Sequence, residues 1–215
     1  MECNFLCIDK YIVFLSQKLG EGTFGKVYKG AYLPRRGDPS AMFAVKIIKL
    51  PTKSQNQSQM DEKMKEFLES TRQEISILRM LKHENIVQLF DVKQLKDEIF
   101  IFMEYCNQKD LKTFILTHEF SFNEVLYYFA QIIKAFEYLQ QMNVIHRDVK
   151  PENILLHDAI IKIADFGFAA TYMRGEEKMF SMVKGTPITM APQILEGGFV
   201  FPSFFYSSLF RRYQV

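Results

Sequence analysis

Three clusters of residues have the types and spacing that chemistry on a phosphate requires. The first is Leu19-Gly20-Glu21-Gly22-Thr23-Phe24-Gly25-Lys26-Val27, a G-x-G-x-x-G run. Glycine lets a chain turn tightly and brings backbone N–H groups close to a ligand. The same spacing serves dinucleotide-binding turns, where the glycines open a helix after a strand. Here strand-like residues stand on both sides, which favours a glycine hairpin lying over phosphates; a plain tight hairpin is the alternative. The second cluster is Ala44-Val45-Lys46, a lysine inside an apolar strand, where a charge is costly unless it is paired. The third is the run 144–156, which gathers His146, Arg147, Asp148, Lys150 and Asn153, followed by Asp165-Phe166-Gly167.

The elements that must position these groups follow from the apolar spacing. Residues 11–33 read as strand, tight turn, strand, and 42–49 as a third strand. The polar stretch 51–59 reads as a connection. Met64, Phe67, Leu68, Thr71, Ile75 and Leu78 then recur at helical spacing. Strands are expected at 86–92 and 99–105. Ser121 with Glu124 makes a capping box, opening a long amphipathic helix through Val125, Leu126, Phe129, Ile132, Ile133, Phe136 and Leu139. Short strands are expected near 144–145, 154–156 and 160–163. The chain is thus β-rich first and helical later, with two lobes joined near 104–110 and no internal repeat.

Taken together, the glycine hairpin, Ala44-Val45-Lys46, the near-complete H-R-D-x-K-x-x-N match over 144–156, and Asp165-Phe166-Gly167 resemble the protein kinase family. The resemblance covers roughly 11–196. It implies an α+β, bilobal protein kinase-like fold, with a β-rich N-lobe at about 11–103 and a helical C-lobe at about 107–196. It implies ATP with Mg2+ and a protein substrate phosphorylated on Ser or Thr. Lys46 becomes the phosphate lysine and Glu74 its carboxylate partner. Glu66 and Glu69 compete, but Ile75 and Leu78 beside Glu74 belong to the buried stripe. Asp148 would orient the substrate hydroxyl and Lys150 would neutralise charge on the moving phosphoryl group. Asn153 and Asp165 would hold the metal, while His146 would brace the loop. The hairpin residues 19–27 would cover the phosphates, and Val27, Ala44 and Leu155 would sandwich adenine. The main chain at Glu104 and Cys106 would bond the ring, Met103 would guard the back pocket, and Asp110 would meet the ribose. Lys150 and Thr186, in Gly185-Thr186-Pro187, mark the serine/threonine class, with Thr186 tied to Asp148 and Lys150. The wording of 165–169 and of Gly185-Thr186-Pro187 through Met190-Ala191-Pro192 is similar to that of autophagy-initiating kinases. Arg147 is the expected receiver of a phosphate on the activation loop, with Ser181 the candidate phosphosite. The basic residues that the family often adds are replaced by Ser70 and Ala170, and Arg174 is a substitute.

The chain departs from the family in three places. The acidic end of Ala-Pro-Glu is Gln193, the tyrosine usual before it is Thr189, and the pattern stops after Gly198. Residues 199–215 form a divergent tail with seven aromatics in seventeen positions. The C-lobe is therefore expected to be incomplete. That leaves a second function class, a catalytically impaired kinase acting as a nucleotide- or partner-binding module.

The bulk numbers exclude other classes. With 215 residues, 48% hydrophobic and 24% charged, the chain can bury a core. A net charge of +2 gives no electrostatic footprint for nucleic acid. No apolar run reaches the roughly 20 residues of a membrane span. Cys3, Cys7 and Cys106 make neither a disulfide framework nor a metal set. The expectation is a cytoplasmic protein with reduced thiols; oligomeric state is not fixed by these features.

Overall fold

The structure, a computed structural model, describes residues 4–22, 25–32, 42–50, 57–172 and 186. They divide into two compact units, one drawn from Met1–Glu69 and Val87–Cys106, the other from Ser70–Ile86 and Asn107–Val215.

The first unit is built on six antiparallel strands: β1 (Phe5–Ile8), β2 (Tyr11–Gly22), β3 (Gly25–Tyr32), β4 (Met42–Lys49), β5 (Leu89–Leu95) and β6 (Glu98–Glu104). Their order is β1-β2-β3-β4-β6-β5. β4 is buried on both faces from Phe43 to Ile48, which explains why Phe43, Val45, Ile47 and Ile48 are aromatic or β-branched and why Lys46 stands out among them. Tyr11 stacks on Phe102 with centroids 3.9 Å apart, and Phe43 meets Phe102 edge-on at 5.4 Å. The Tyr11 hydroxyl donates to Asp91 Oδ2 at 2.9 Å. Since β2 and β5 lie far apart in strand order, that bond requires the sheet to curl. Burial, and then the Asp91 carboxylate, hold the Tyr11 phenol above its usual pKa, so it stays a neutral donor. Gly30 is demanded by packing, because a Cβ there would lie 2.4 Å from the Phe43 ring.

The helix α1 (Gln57–Met80) begins in the first unit and ends in the second. It starts earlier than the apolar spacing indicates: residues 57–59, expected as connection, are helical. Gln and Ser tolerate a solvated first turn, so their polarity does not distinguish loop from helix end. The strand expected at 86–92 begins only at Leu89; Ile86 makes an isolated bridge to Ile163.

The second unit adds β7 (Gln108–Asp110), α2 (Leu111–Thr117), α3 (Phe122–Gln141), β8 (Val144–Ile145), β9 (Ile154–His157), β10 (Ile160–Ile163) and β11 (Ala170–Thr171). The strands form a β10-β9-β7 sheet and a β11-β8 pair. The expected capping box opens α3: Ser121 N–H donates to Glu124 Oε2 at 2.9 Å, and Glu124 N–H to Ser121 Oγ at 3.3 Å. α3 buries Gln131, Ala135, Phe136 and Leu139, one face of its C-terminal half. Val125 and Leu126, expected in the buried stripe, are exposed. Gln131 is buried because it is fully used: its Oε1 accepts from Asn85 Nδ2 and Ile161 N–H, each at 2.9 Å. That polar link fixes α3 against the β9–β10 hairpin. Among the described residues no helix is long and apolar enough to cross a membrane.

Candidate active site

In the first unit, β2 runs to Gly22 and β3 restarts at Gly25, with Gly22 paired to Gly25 and Gly20 to Val27. The glycine run is therefore a hairpin between strands, which excludes the helix-opening reading. A Cβ on Gly25 would sit 2.3 Å from the Ile47 carbonyl oxygen, so no larger residue lets β3 lie this close to β4. Leu19, Glu21 and Lys26 are on this hairpin, and Val27 pairs directly with Lys46 on β4. Thr23 and Phe24 lie outside the described residues. Lys46 is only 6% exposed, with Ala44 two residues before it on the same strand face. Met103 and Glu104 end β6, where Glu104 N–H donates to Gln88 O at 2.8 Å; Cys106 follows, partly exposed.

The second unit carries the remaining groups. Glu74, on α1, is 3% exposed, more buried than Glu66 or Glu69. Asp110 caps α2, its Oδ1 accepting from Thr113 N–H at 2.9 Å. Leu155 lies on β9, paired with Lys162.

Asp148 is 1% exposed and is the hub of the site. Its Oδ1 accepts from Thr186 N–H at 2.8 Å and Thr186 Oγ1 at 2.6 Å. Its Oδ2 accepts from Asn153 Nδ2 at 2.9 Å and pairs with Lys150 Nζ at 2.9 Å. Lys150 Nζ also donates to Thr186 Oγ1 at 2.8 Å. A carboxylate offers about four lone-pair sites, and all are taken. Burial raises the Asp148 pKa, but the hydrogen bonds from Thr186 and Lys150 and the Lys150 charge outweigh it, so the carboxyl lies below its usual range. The expectation that Thr186 ties Asp148 to Lys150 matches this geometry.

The backbone around Asp148 is strained and braced. Arg147 has φ 65° and Asp165 has φ 58°, the left-handed region that costs a side-chain-bearing residue roughly 1–2 kcal/mol. Such strain persists only where neighbours over-determine it. Arg147 Nε donates to Phe168 O at 2.6 Å. Asp148 N–H donates to His146 Nδ1 at 3.3 Å, and His146 Nε2 bonds Ala164 O at 2.9 Å. This assigns the proton to Nε2. Burial pulls the His146 pKa down despite the Ala164 carbonyl, so the ring is a neutral brace, as expected. Phe166 is buried edge-on to it at 4.8 Å.

One hairpin sets the two expected metal ligands. Asn153 immediately precedes β9, Asp165 follows β10, and Ile154 pairs with Ile163. Ala164 N–H then donates to Asn153 O at 2.8 Å, tying the backbone beside both residues. Asn153 Nδ2 donates to Asp148 O as well as Oδ2, both at 2.9 Å. Both amide hydrogens are thereby used, and Oδ1 is the atom left to face a cation. One amide oxygen plus one carboxylate fits magnesium, not a closed protein cage, and no cluster of three His, Cys, Asp or Glu exists among the described residues.

Sequence reasoning missed Ala164 and the Asn85–Gln131 pair, which fix this hairpin. The available signal was Gln131, a polar residue inside an apolar helical stripe. The two positions where the family often adds basic residues carry neither: Ser70 Oγ donates to Gly167 O at 3.4 Å, and Ala170 is buried in β11. Ser181, Arg174, Thr189, Gln193 and the tail 199–215 lie outside the described residues.

The family model for the protein kinase domain matches residues 14–201, and the chain belongs to that family. Its relatives are serine/threonine kinases. It is 36% identical to the serine/threonine-protein kinase pakG of Dictyostelium discoideum over 88% of this chain and 15% of that protein. It is 37% identical to the carbon catabolite-derepressing protein kinase of Saccharomyces cerevisiae, over 83% and 26%. The resemblance to autophagy-initiating kinases has its counterpart in atg1 of Dictyostelium discoideum, 33% identical over 84% and 26%. The chain spans between 14% and 42% of the length of these and similar relatives.

Proposed function

We propose that the protein transfers the γ-phosphoryl group of ATP to serine or threonine hydroxyls of protein substrates. The observation that carries this reading is the four-donor arrangement around Asp148. In the proposed reaction the substrate hydroxyl oxygen attacks the γ-phosphorus, the bond to the β–γ bridging oxygen breaks, and ADP leaves. Asp148 orients the hydroxyl and takes up its proton, which then passes to water. Because every acceptor site of Asp148 is filled, the hydroxyl must displace a donor. Lys150 is the donor with access to solvent: its side chain is 24% exposed, whereas Asn153 is buried and held beside β9. A Lys150 that turns toward the transferring phosphoryl oxygens opens Oδ2 to the hydroxyl and neutralises charge where it develops. Asn153 and Asp165 would hold magnesium, which when bound would neutralise charge on the phosphate oxygens. Lys46 contributes a phosphate contact, and Glu74 remains the carboxylate that the family resemblance implies. The Gly20–Gly25 hairpin contributes backbone N–H groups, Glu104 and Cys106 main-chain bonds to adenine, and Val27, Ala44 and Leu155 apolar faces.

The test is transfer of labelled phosphate from ATP-Mg to a generic protein substrate, with Asp148→Asn and Lys46→Met as controls. The expected result is phosphoserine or phosphothreonine with the wild type and near-complete loss in both variants. Turnover retained in Asp148→Asn, or a product that is mainly phosphotyrosine, would overturn the reading.

A further inference from the structure

The turn that follows α1 is tied to the rest of the second unit by two polar side chains, His83 and Asn85, that the proposed reaction does not use. The His83 ring lies on Tyr138 of α3, centroids 4.9 Å apart and planes 27° apart. Its Nδ1 accepts from Asn85 N–H at 3.0 Å, and its carbonyl accepts from Ile86 N–H at 3.1 Å. The Tyr138 hydroxyl oxygen accepts from Lys82 N–H at 2.9 Å. Asn85, 1% exposed, carries the hold onward. Its Nδ2 donates to Gln131 Oε1 at 2.9 Å and to Ile161 O at 3.1 Å, and its carbonyl accepts from Ile163 N–H at 2.8 Å. Ile86 bridges Ile163 beside it. Two residues further on, Asp165 takes its left-handed conformation. The turn 83–86 therefore fixes β10 at the end from which Asp165 departs. Asn85 Oδ1 is buried with no hydrogen-bond partner among the described residues, so this junction already leaves one polar atom unsatisfied.

We propose that His83 is a positioning residue: its neutral ring holds Asn85, and through Asn85 the Asp165 end of β10, and a proton on the ring releases that hold. The inference rests on the reading of Asp165 as a site residue. The geometry assigns the state of the ring. Nδ1 accepts a backbone N–H only when it carries no proton, so the neutral ring has its hydrogen on Nε2. Protonation turns Nδ1 into a donor facing another donor. The Asn85 N–H, in a residue shut off from water, is then left without a partner and carries its full desolvation cost. The ring is half-buried, so a proton can reach it from solvent. Burial is the largest influence on the ring and lowers its pKa. Glu84, next in the chain, opposes this, while Lys134 on α3 and Lys162 on β10 lower it further. The change therefore falls on the acid side of the usual histidine value of about 6.5.

The test follows hydrogen exchange of the Asn85 and Ile163 amides in the full chain by NMR, from about pH 7.5 down to about pH 4.5, beside the titration of the His83 ring. Protection, corrected for the intrinsic rate, should fall by about tenfold as the ring takes up its proton, the factor that one buried hydrogen bond carries. His83→Asn places near Nδ1 an amide oxygen that does not titrate, and its protection should stay level. His83→Phe keeps a ring on Tyr138 but has no acceptor, and its protection should be low at every pH. Wild-type protection that does not follow the ring's titration overturns the proposal, as does an equal fall in His83→Asn or full protection in His83→Phe. Should a variant not fold, the wild-type titration decides alone. Phosphoryl transfer is the second readout: the wild type should lose more activity than His83→Asn below the ring's transition, from nearly equal rates at neutral pH. Equal acid limbs would remove the positioning role. No transfer at any pH would defeat the proposed reaction instead, and the exchange result would still decide the hold on β10.

Discussion

Thr186→Ala removes one hydroxyl and tests how Asp148 is held. That hydroxyl donates to Asp148 Oδ1 at 2.6 Å and accepts from Lys150 Nζ at 2.8 Å, while Thr186 N–H keeps its own 2.8 Å bond. A hydrogen bond to a charged group is worth about 1.5–3 kcal/mol, and each 1.36 kcal/mol is tenfold in rate, so phosphoryl transfer should slow by roughly 10- to 150-fold. The hydroxyl also helps to lower the Asp148 pKa. Its loss raises that pKa, so the acid limb of the rate profile should move to higher pH. Stability follows the same sign. A carboxyl depressed in the folded state stabilises fully above its unfolded pKa of about 4 and loses that contribution as pH falls through the folded value. The stability gap between wild type and Thr186→Ala should therefore be widest above about pH 4 and close below it. Rate–pH profiles and denaturant melts of wild type, Thr186→Ala and Thr186→Ser measure both. Thr186→Ser keeps the hydroxyl and should stay close to wild type. An unmoved acid limb in Thr186→Ala, or equal losses in Ser and Ala, would refute the reasoning.

Three further variants probe the supports. Gly30→Ala puts a methyl 2.4 Å from the Phe43 ring and should cost about 1–3 kcal/mol in urea melts; a neutral result would mean that the Phe43 ring moves aside. Gln131→Leu leaves the Ile161 N–H and one hydrogen of the Asn85 amide, which keeps its 3.1 Å bond to Ile161 O, without an acceptor and should cost about 2–4 kcal/mol, read by the same melts. His146 is buried neutral, so its contribution is retained above the unfolded pKa of about 6.5 and lost as pH falls below it, at up to about 1.4 kcal/mol per pH unit. His146→Gln should flatten that slope, and a slope equal to wild type between pH 5 and 6.5 would contradict the neutral brace.

The chemistry was legible in the sequence where residues close in the chain act together. His146 to Asn153 lie within eight positions, and their types and spacing pointed to the loop that the structure forms. The glycine run needed its flanks: Val27 and Tyr28 after Gly25 distinguished a hairpin from a helix opening. Long-range supports were not legible. Nothing adjacent to Asn85 or Gln131 announces that they meet across 46 positions, and Ala164 acts only through its backbone. Short elements were missed for a related reason. β1 and β7 have four and three residues, too few for alternation to register. α2 buries nothing, so its apolar residues carry no helical stripe, and only Asp110 before Thr113 hints at its cap.

The curl of the first sheet bears on where a working fragment can be cut. The family match begins at residue 14, yet Tyr11, 1% exposed, lies outside it and stacks on Phe102 while bonding Asp91. A fragment trimmed to the family boundary would lose this ring and the whole of β1. Phe43 and Phe102 would then face solvent, and β2 would become a bare edge open to pairing with other chains. The apolar packing of the first sheet thus begins several residues before the family boundary, at Ile8 and Tyr11.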